Sequence, residues 1–169
     1  MRTLARGIFP AILAERGLVP ALRAHLGRSA ASARLEADAT VARARFDPRT
    51  EAALYFCCLE ALQNAAKHAA SAAVSVRVSA DRAWLTVAVS DQGPGFRPDI
   101  AHRGTGLQGM LDRMAAVGGT LEVVAAEGEG TTIRGRAPRE VAPPRAQVGA
   151  TTAAQAAASD AEPNVALAR

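Results

Sequence analysis

Apolar residues recur along this 169-residue chain with two different periods, and the switches between them mark out its elements. From Pro10 to about Ser32, residues Ile12, Leu13, Leu18, Val19, Leu22 and Leu26 fall at helical spacing, and Gly17 and Pro20 interrupt the run. This predicts a short helix, a break and a second helix. Residues 33–41 alternate in part, with Leu35, Ala37 and Ala39 on one side, and predict an edge strand. Asp47-Pro48 is a helix start: the Asp carboxylate can cap free amides, and Pro suits the first helical position. The helix that follows runs to about Ala70, with Leu54, Cys58, Ala61 and Ala65 on one stripe.

The period then changes to two. Val74, Val76 and Val78 alternate with Ser75, Arg77 and Ser79. After a turn at Ala80-Asp81-Arg82, Leu85, Val87 and Val89 alternate with Thr86, Ala88 and Ser90, which predicts a β-hairpin. Residues 91–105 are rich in Gly and Pro and read as loop. Leu107 to Val117 form a helix closed by Gly118-Gly119. Strands over about 120–126 and 131–137 follow, joined by Glu127-Gly128-Glu129-Gly130. The order predicts an α+β fold: a two-layer α/β sandwich with helices on one face of a mixed, mostly antiparallel sheet. From Pro138 onward large apolar residues give way to Ala, Pro, Thr, Gln and Ser, so residues 138–169 read as a disordered tail.

Charge narrows the function classes only once it is located. The formal net charge is +4. Residues 1–46 carry +5, residues 47–137 carry −1, and the remainder balances. The central part is therefore nearly neutral, and a basic patch interleaved with aromatics, as a single-strand nucleic-acid binder would need, is absent. Direct nucleic-acid binding is not expected. Cys57 and Cys58 are adjacent, with no further cysteine to complete a metal site, and read as small core residues in a reducing cytoplasm. No apolar run approaches the roughly 20 residues needed to span a bilayer.

The chemistry gathers at three places. Glu60, Asn64, Lys67 and His68 stand at i, i+4, i+7 and i+8 on the long helix, inside an arc of roughly 100°. A carboxylate, a neutral oxygen ligand, a cation and an imidazole at the border of a core suit an oxygen-ligated Mg²⁺ carrying nucleotide phosphates. Lys67 is the only lysine in the chain. Asp91-Gln92-Gly93-Pro94-Gly95-Phe96 follows a strand, and Gly104-Thr105-Gly106-Leu107-Gln108-Gly109-Met110 opens a helix. Glycine permits close backbone approach to a ligand, free amides at a helix start attract phosphate, and a carboxylate can accept from an exocyclic amine such as that of adenine.

In order and spacing these segments resemble the gyrase-B/histidine-kinase (Bergerat) ATP-binding fold. Glu60 to His68 look like its N box, Asp91 to Phe96 its first glycine box, Gly104 to Met110 its second, and Gly128-Glu129-Gly130-Thr131-Thr132 its closing strand turn. The resemblance covers about residues 7–137. The N-terminal stretch from Gly7 to Leu18 is similar to the link between the dimerisation helices and catalytic domain of one group of bacterial sensor histidine kinases. That group has a short ATP lid, matched here by residues 95–103. The implied organisation is a junction with the dimerisation domain over 1–32, an ATP-binding catalytic domain over 33–137, and the tail.

The resemblance implies ATP and Mg²⁺ as cofactors. Asn64 would coordinate Mg²⁺, with Glu60 in the metal and water environment and as the candidate catalytic residue. Lys67 and His68 would meet phosphate oxygens, and Asp91 would recognise the adenine amino group. Gly93 and Gly95 would shape the adenine pocket, and Gly104 and Gly106 would approach the phosphates, with Thr105 and Leu107 of the same box in the nucleotide site. Thr132 would support the adenine by hydrogen bonding.

The phosphoacceptor pair of such kinases, a histidine followed at once by an acidic residue, does not occur: His25 is followed by Leu26, His68 belongs to the N box and His102 to the lid. The partners implied are therefore a histidine-containing dimerisation domain, a response regulator downstream of it, and a second copy or a kinase covering apolar surface near the N-terminus. A stand-alone serine kinase or ATPase of the same fold is the alternative reading, and a non-catalytic nucleotide-binding regulatory module is a third.

Overall fold

The computed structural model describes residues 10–28, 33–69, 72–96 and 105–140. The first helix, α1 (Ala11–Arg16), ends at Gly17, whose φ of 86° lets the chain turn sharply into α2 (Leu18–Leu26). Gly17 alone makes the break. Pro20 sits within the first turn of α2, where a backbone N–H would have no helical partner and its loss costs little.

Strand β1 (Ala33–Ala37) precedes the long helix α3 (Pro48–His68). Asp47 caps α3 through Oδ1, which accepts from the amides of Arg49 at 2.9 Å and Thr50 at 3.1 Å. Strands β2 (Val74–Ala80) and β3 (Trp84–Asp91) form the expected hairpin. Helix α4 (Thr105–Ala115) and the hairpin of β4 (Thr120–Ala126) and β5 (Gly130–Pro138) complete the fold. The five strands lie in the order β1-β2-β3-β5-β4, parallel between β1 and β2 and antiparallel elsewhere.

Strand alternation decides which face is covered. Val76, Val78, Leu85, Val87, Val89, Ile133 and Ala137 point inward and are buried against Leu54, Cys58, Ala61, Met110 and Met114 of α3 and α4. Each large side chain fully buried in this layer contributes roughly 1.5–3 kcal/mol by transfer from water. Gly135 in β5 supplies the room this packing needs, because a Cβ there would come within 3.2 Å of Leu54 Cδ2 and 3.5 Å of Met114 Sδ.

Two expectations shift at the ends of the domain. Among the described residues before residue 33, α1 and α2 do not leave an apolar face open. Leu13, Leu18, Val19, Ala21 and Leu22 are buried in the same core as α3 and the sheet. Among the described residues, only Leu111 and Val124 are large hydrophobics with substantial exposure. At the other end, Pro138 still belongs to β5, and the next two residues are pinned by backbone hydrogen bonds. Arg139 N donates to Ala83 O at 2.8 Å, and Asp47 N donates to Glu140 O at 2.8 Å. The first bond ties the end of β5 to the β2–β3 turn, and the second ties it to the start of α3. Residues 141–169 lie outside the described residues.

Both cysteines are buried and free. Burial pushes the Cys57 thiol up to about 11 and that of Cys58 to about 12. Since the thiolate is the reactive form, neither should be alkylated by iodoacetamide at pH 8 in the folded protein, whereas both should react in denaturant. Mass spectrometry of quenched samples checks this. The native state keeps these protons while the unfolded state loses them, so the cysteines' contribution to stability falls as pH rises above about 9. Among the described residues no helix is long and apolar enough to cross a membrane.

Candidate functional site

The C-terminal half of α3, the end of β3 and the start of α4 converge on one cavity of about 590 Å³. That volume falls in the range of small-molecule sites, about 300–1,000 Å³. Glu60, Asn64, Lys67 and His68 form its α3 wall, spaced so that all four leave the helix on the side that lines the cavity. Glu60 and Asn64 are half-buried, whereas Lys67 and His68 are exposed at the mouth. The apolar floor comes from inward-facing residues, Ala61 and Ala65 of α3, Val89 of β3, Val123 of β4 and Ile133 of β5. The floor therefore follows from the same alternation that builds the core.

Asp91 is the last residue of β3 and has the inward parity of Leu85, Val87 and Val89. Its Oδ1 accepts from the Gly93 amide at 2.9 Å. Among the described residues this is the only hydrogen-bond partner of the carboxylate, and Asp91 lines the cavity. Gly93 must be glycine, because a Cβ would run into Ala69 and the Asp91 carboxylate. Gly95 and Phe96 line the cavity beyond Asp91.

On the far side, Gly106 and Leu107 present the first turn of α4, whose leading amides have no helical acceptors. Glu60 packs so tightly against Gly106 that a methyl group there would collide with its carboxylate. A polyanion entering at this end meets the start of α4, with Lys67 and His68 on the same cavity wall.

Eight of the residues expected from sequence thus line a single cavity: Glu60, Asn64, Lys67, His68, Asp91, Gly95, Gly106 and Leu107. Gly93 abuts it through Asp91. Thr105 opens α4, and Gly104 lies outside the described residues, as does His102. Thr132 requires a correction. It pairs with Ser90, and the two hydroxyls are 2.9 Å apart on the sheet face that turns away from the helices. Thr131 pairs with Asp91 and lines the cavity. Side chains alternate faces along a strand, so a one-residue error in assigning the threonine puts it on the wrong side. The inward parity of Ile133 was the signal that could have identified Thr131.

His25 is remote from this site. It stacks edge-on against Tyr55 with ring centroids 6.4 Å apart, and burial, helped by Arg28, holds its pKa below the ordinary histidine value.

Residues 49–141 match the family described as histidine kinase-, DNA gyrase B- and HSP90-like ATPase. The chain is similar to the sensor histidine kinase LiaS of Bacillus subtilis, at 28% identity over 82% of this chain and 39% of that protein. It is also similar to the sensor histidine kinase MctS of Rhizobium johnstonii, at 30% identity over 82% of this chain and 31% of that protein. Against the structure of the Erythrobacter litoralis EL346 blue-light activated histidine kinase, the TM-score is 0.58 at 28% identity, covering 76% of this chain and 41% of that one. The chain therefore spans well under half the length of these relatives.

Proposed function

Because this chain belongs to the histidine kinase-, DNA gyrase B- and HSP90-like ATPase family, we propose that it binds ATP·Mg²⁺ in this cavity and supplies the γ-phosphate to a histidine on a separate dimerisation domain. The observation that carries the reading is the convergence of Asn64, Asp91 and Gly106, from three segments distant in sequence, on one cavity with a polar rim and an apolar floor.

In this reading the adenine ring lies on Val89, Ile133 and Ala65, and its exocyclic amine donates to Asp91 Oδ2. Thr131, beside Asp91 in the ladder, supplies a hydroxyl at the same end. The phosphates reach toward the free amides of α4, with Lys67 and His68 offsetting their charge.

The donor set suits Mg²⁺. Asn64 offers a carbonyl oxygen and Glu60 a carboxylate, both hard oxygens. Among the described residues no cluster of three or more His, Cys, Asp or Glu could hold a metal, so the remaining ligands would come from phosphate and water, as Mg²⁺ prefers. When bound, the ion offsets charge on the phosphate oxygens. The chain's own part is positioning and electrostatics. The acceptor imidazole nitrogen bonds to the γ-phosphorus, the bond to the β–γ bridging oxygen breaks, and ADP departs with that electron pair. The acceptor histidine, its domain and the response regulator that takes the phosphoryl group onward lie in other domains or chains. The reaction takes place in the cytoplasm, which also suits two free thiols.

Calorimetric titration of ATP·Mg²⁺ tests the binding step, and absence of heat with wild type ends the proposal. Asn64→Ala should remove most of the Mg²⁺ dependence of ATP affinity while leaving metal-free binding nearly intact. Transfer of labelled γ-phosphate to a supplied dimerisation domain tests the chemistry. Steady release of free phosphate without an acceptor would instead point to an ATPase.

A further inference from the structure

The segment Asp91–Gly95 is gripped from below by the turn between β4 and β5. Gly128 N donates to Pro94 O at 2.7 Å, which fastens the glycine segment to the tip of the turn. Gly95, with φ of 61°, lies so close to the chain of the turn that a Cβ would strike the carbonyl oxygens of Ala126 and Gly130. Gly130, with φ of 79°, sits directly under the end of β3, where a Cβ would strike the carbonyl of Asp91 and come within 3.2 Å of Gln92 Cα. The other face of the same short segment is fixed by Gln92 N, which donates to Ala73 O at 3.2 Å. Asp91 is thus clamped by backbone on both sides, at the point where its strand ends.

We infer that the β4–β5 turn sets the position of the Asp91 carboxylate, with Gly130 as the positioning residue that determines selectivity for a 6-amino purine over a 6-oxo purine. The inference rests on the ATP-binding reading above. Its chemistry is geometric. A carboxylate oxygen accepts from an exocyclic amine only near 2.7–3.2 Å, and the same oxygen repels the 6-oxo group of hypoxanthine. Any side chain at Gly130 must push the Asp91 carbonyl aside, carrying the carboxylate with it. The phosphate end is built on α3 and α4, whereas the atoms nearest a Cβ at Gly130 all belong to Asp91 and Gln92, so that end should not respond.

Gly128 provides a matched control. Its φ is 80°, nearly that of Gly130, yet a Cβ there meets nothing within 4 Å. Gly128→Ala therefore carries the same backbone strain without the collision.

The test compares binding of ATP, inosine triphosphate and inorganic tripolyphosphate by calorimetry. Gly130→Ala should weaken ATP by about tenfold, part of the loss expected when a hydrogen bond to a charged group is removed outright, and leave tripolyphosphate unchanged. The ratio of ATP to inosine triphosphate affinity should collapse toward that of Asp91→Ala. In the Asp91→Ala background, Gly130→Ala should have no further effect on ATP. Gly128→Ala should keep the wild-type ratio. If Gly130→Ala does not fold, Gly130→Asn substitutes, because Asn tolerates positive φ while retaining the colliding Cβ. Equal weakening of all three ligands, additivity with Asp91→Ala, or an unchanged ratio in a folded Gly130 variant would overturn the inference. Failure of wild type to bind ATP would instead overturn the reading beneath it.

Discussion

Replacing Asp91 with alanine should weaken ATP and ADP alike by roughly 30- to 150-fold, the equivalent of about 2–3 kcal/mol for losing a charge-assisted hydrogen bond. The effect should be equal for the two nucleotides because the carboxylate lies at the end of β3, on the opposite side of the cavity from the first turn of α4. Fold stability should change little. The carboxylate's one partner among the described residues is the Gly93 amide, and Gly93 is itself half-exposed, so water can replace the lost acceptor. Asp91→Asn should fall between, since an amide oxygen in the same place still accepts but without charge. Calorimetric affinities with both nucleotides, together with melting curves, check these expectations. Wild-type affinity in Asp91→Ala would show that the cavity holds its ligand in some other way.

The sequence disclosed the fold and most of the cavity for a common reason: periodicity reports faces. The Asp47 cap, the period of α3 and the alternation of β2, β3 and β5 each mark which residues look inward, and the cavity lies where inward-facing positions run past the end of the core. Glu60 and Asn64 were legible because they share one polar arc of α3 at the border of its buried stripe, and Asp91 because it is polar at the parity of the buried Leu85, Val87 and Val89. Thr131 was hidden because two adjacent threonines offer no composition signal, and only the register of β5 against β3 distinguishes them. The role of Gly130 was hidden more deeply. A glycine in a turn reads as a turn residue, and its approach to Asp91 joins segments 39 positions apart in the chain. The place of α1 and α2 was hidden too: their apolar residues fit a docking face for another domain as well as a core, and only tertiary packing shows that they are inside.

That packing leads to the largest expected effect on stability. Arg45 joins α1 to α3 through four contacts. Its Nη1 donates to Glu15 O at 3.0 Å and its Nη2 to Ala14 O at 3.1 Å, at the carbonyl end of α1. Its Nε and Nη2 each lie 3.3 Å from the carboxylate oxygens of Glu51 in the first turn of α3. Glu51 is only 1% exposed, and Oε1 also accepts from Phe46 N at 3.0 Å. Gly17 makes the approach feasible, since a Cβ would come within 2.8 Å of Arg45 Cδ.

Arg45→Ala would leave a buried carboxylate with one amide and no cation, and truncating one partner of a buried pair costs about 3–5 kcal/mol. Arg45 is itself 29% exposed, so water can reach the vacated space. The expected loss is then nearer about 2–3 kcal/mol, a drop in Tm of roughly 6–9 °C for a chain of this size. Arg45→Lys should recover only part, because one ammonium cannot serve both the α1 carbonyls and Glu51. Adding Glu51→Gln to Arg45→Ala should restore several degrees, since the buried charge is gone while the acceptor for Phe46 N remains. Nucleotide affinity, measured below the melting transition, should stay at wild-type values, because neither residue borders the cavity. A Tm unchanged in Arg45→Ala, or a double variant no more stable than the single one, would mean that the pair does not hold α1 to the sandwich.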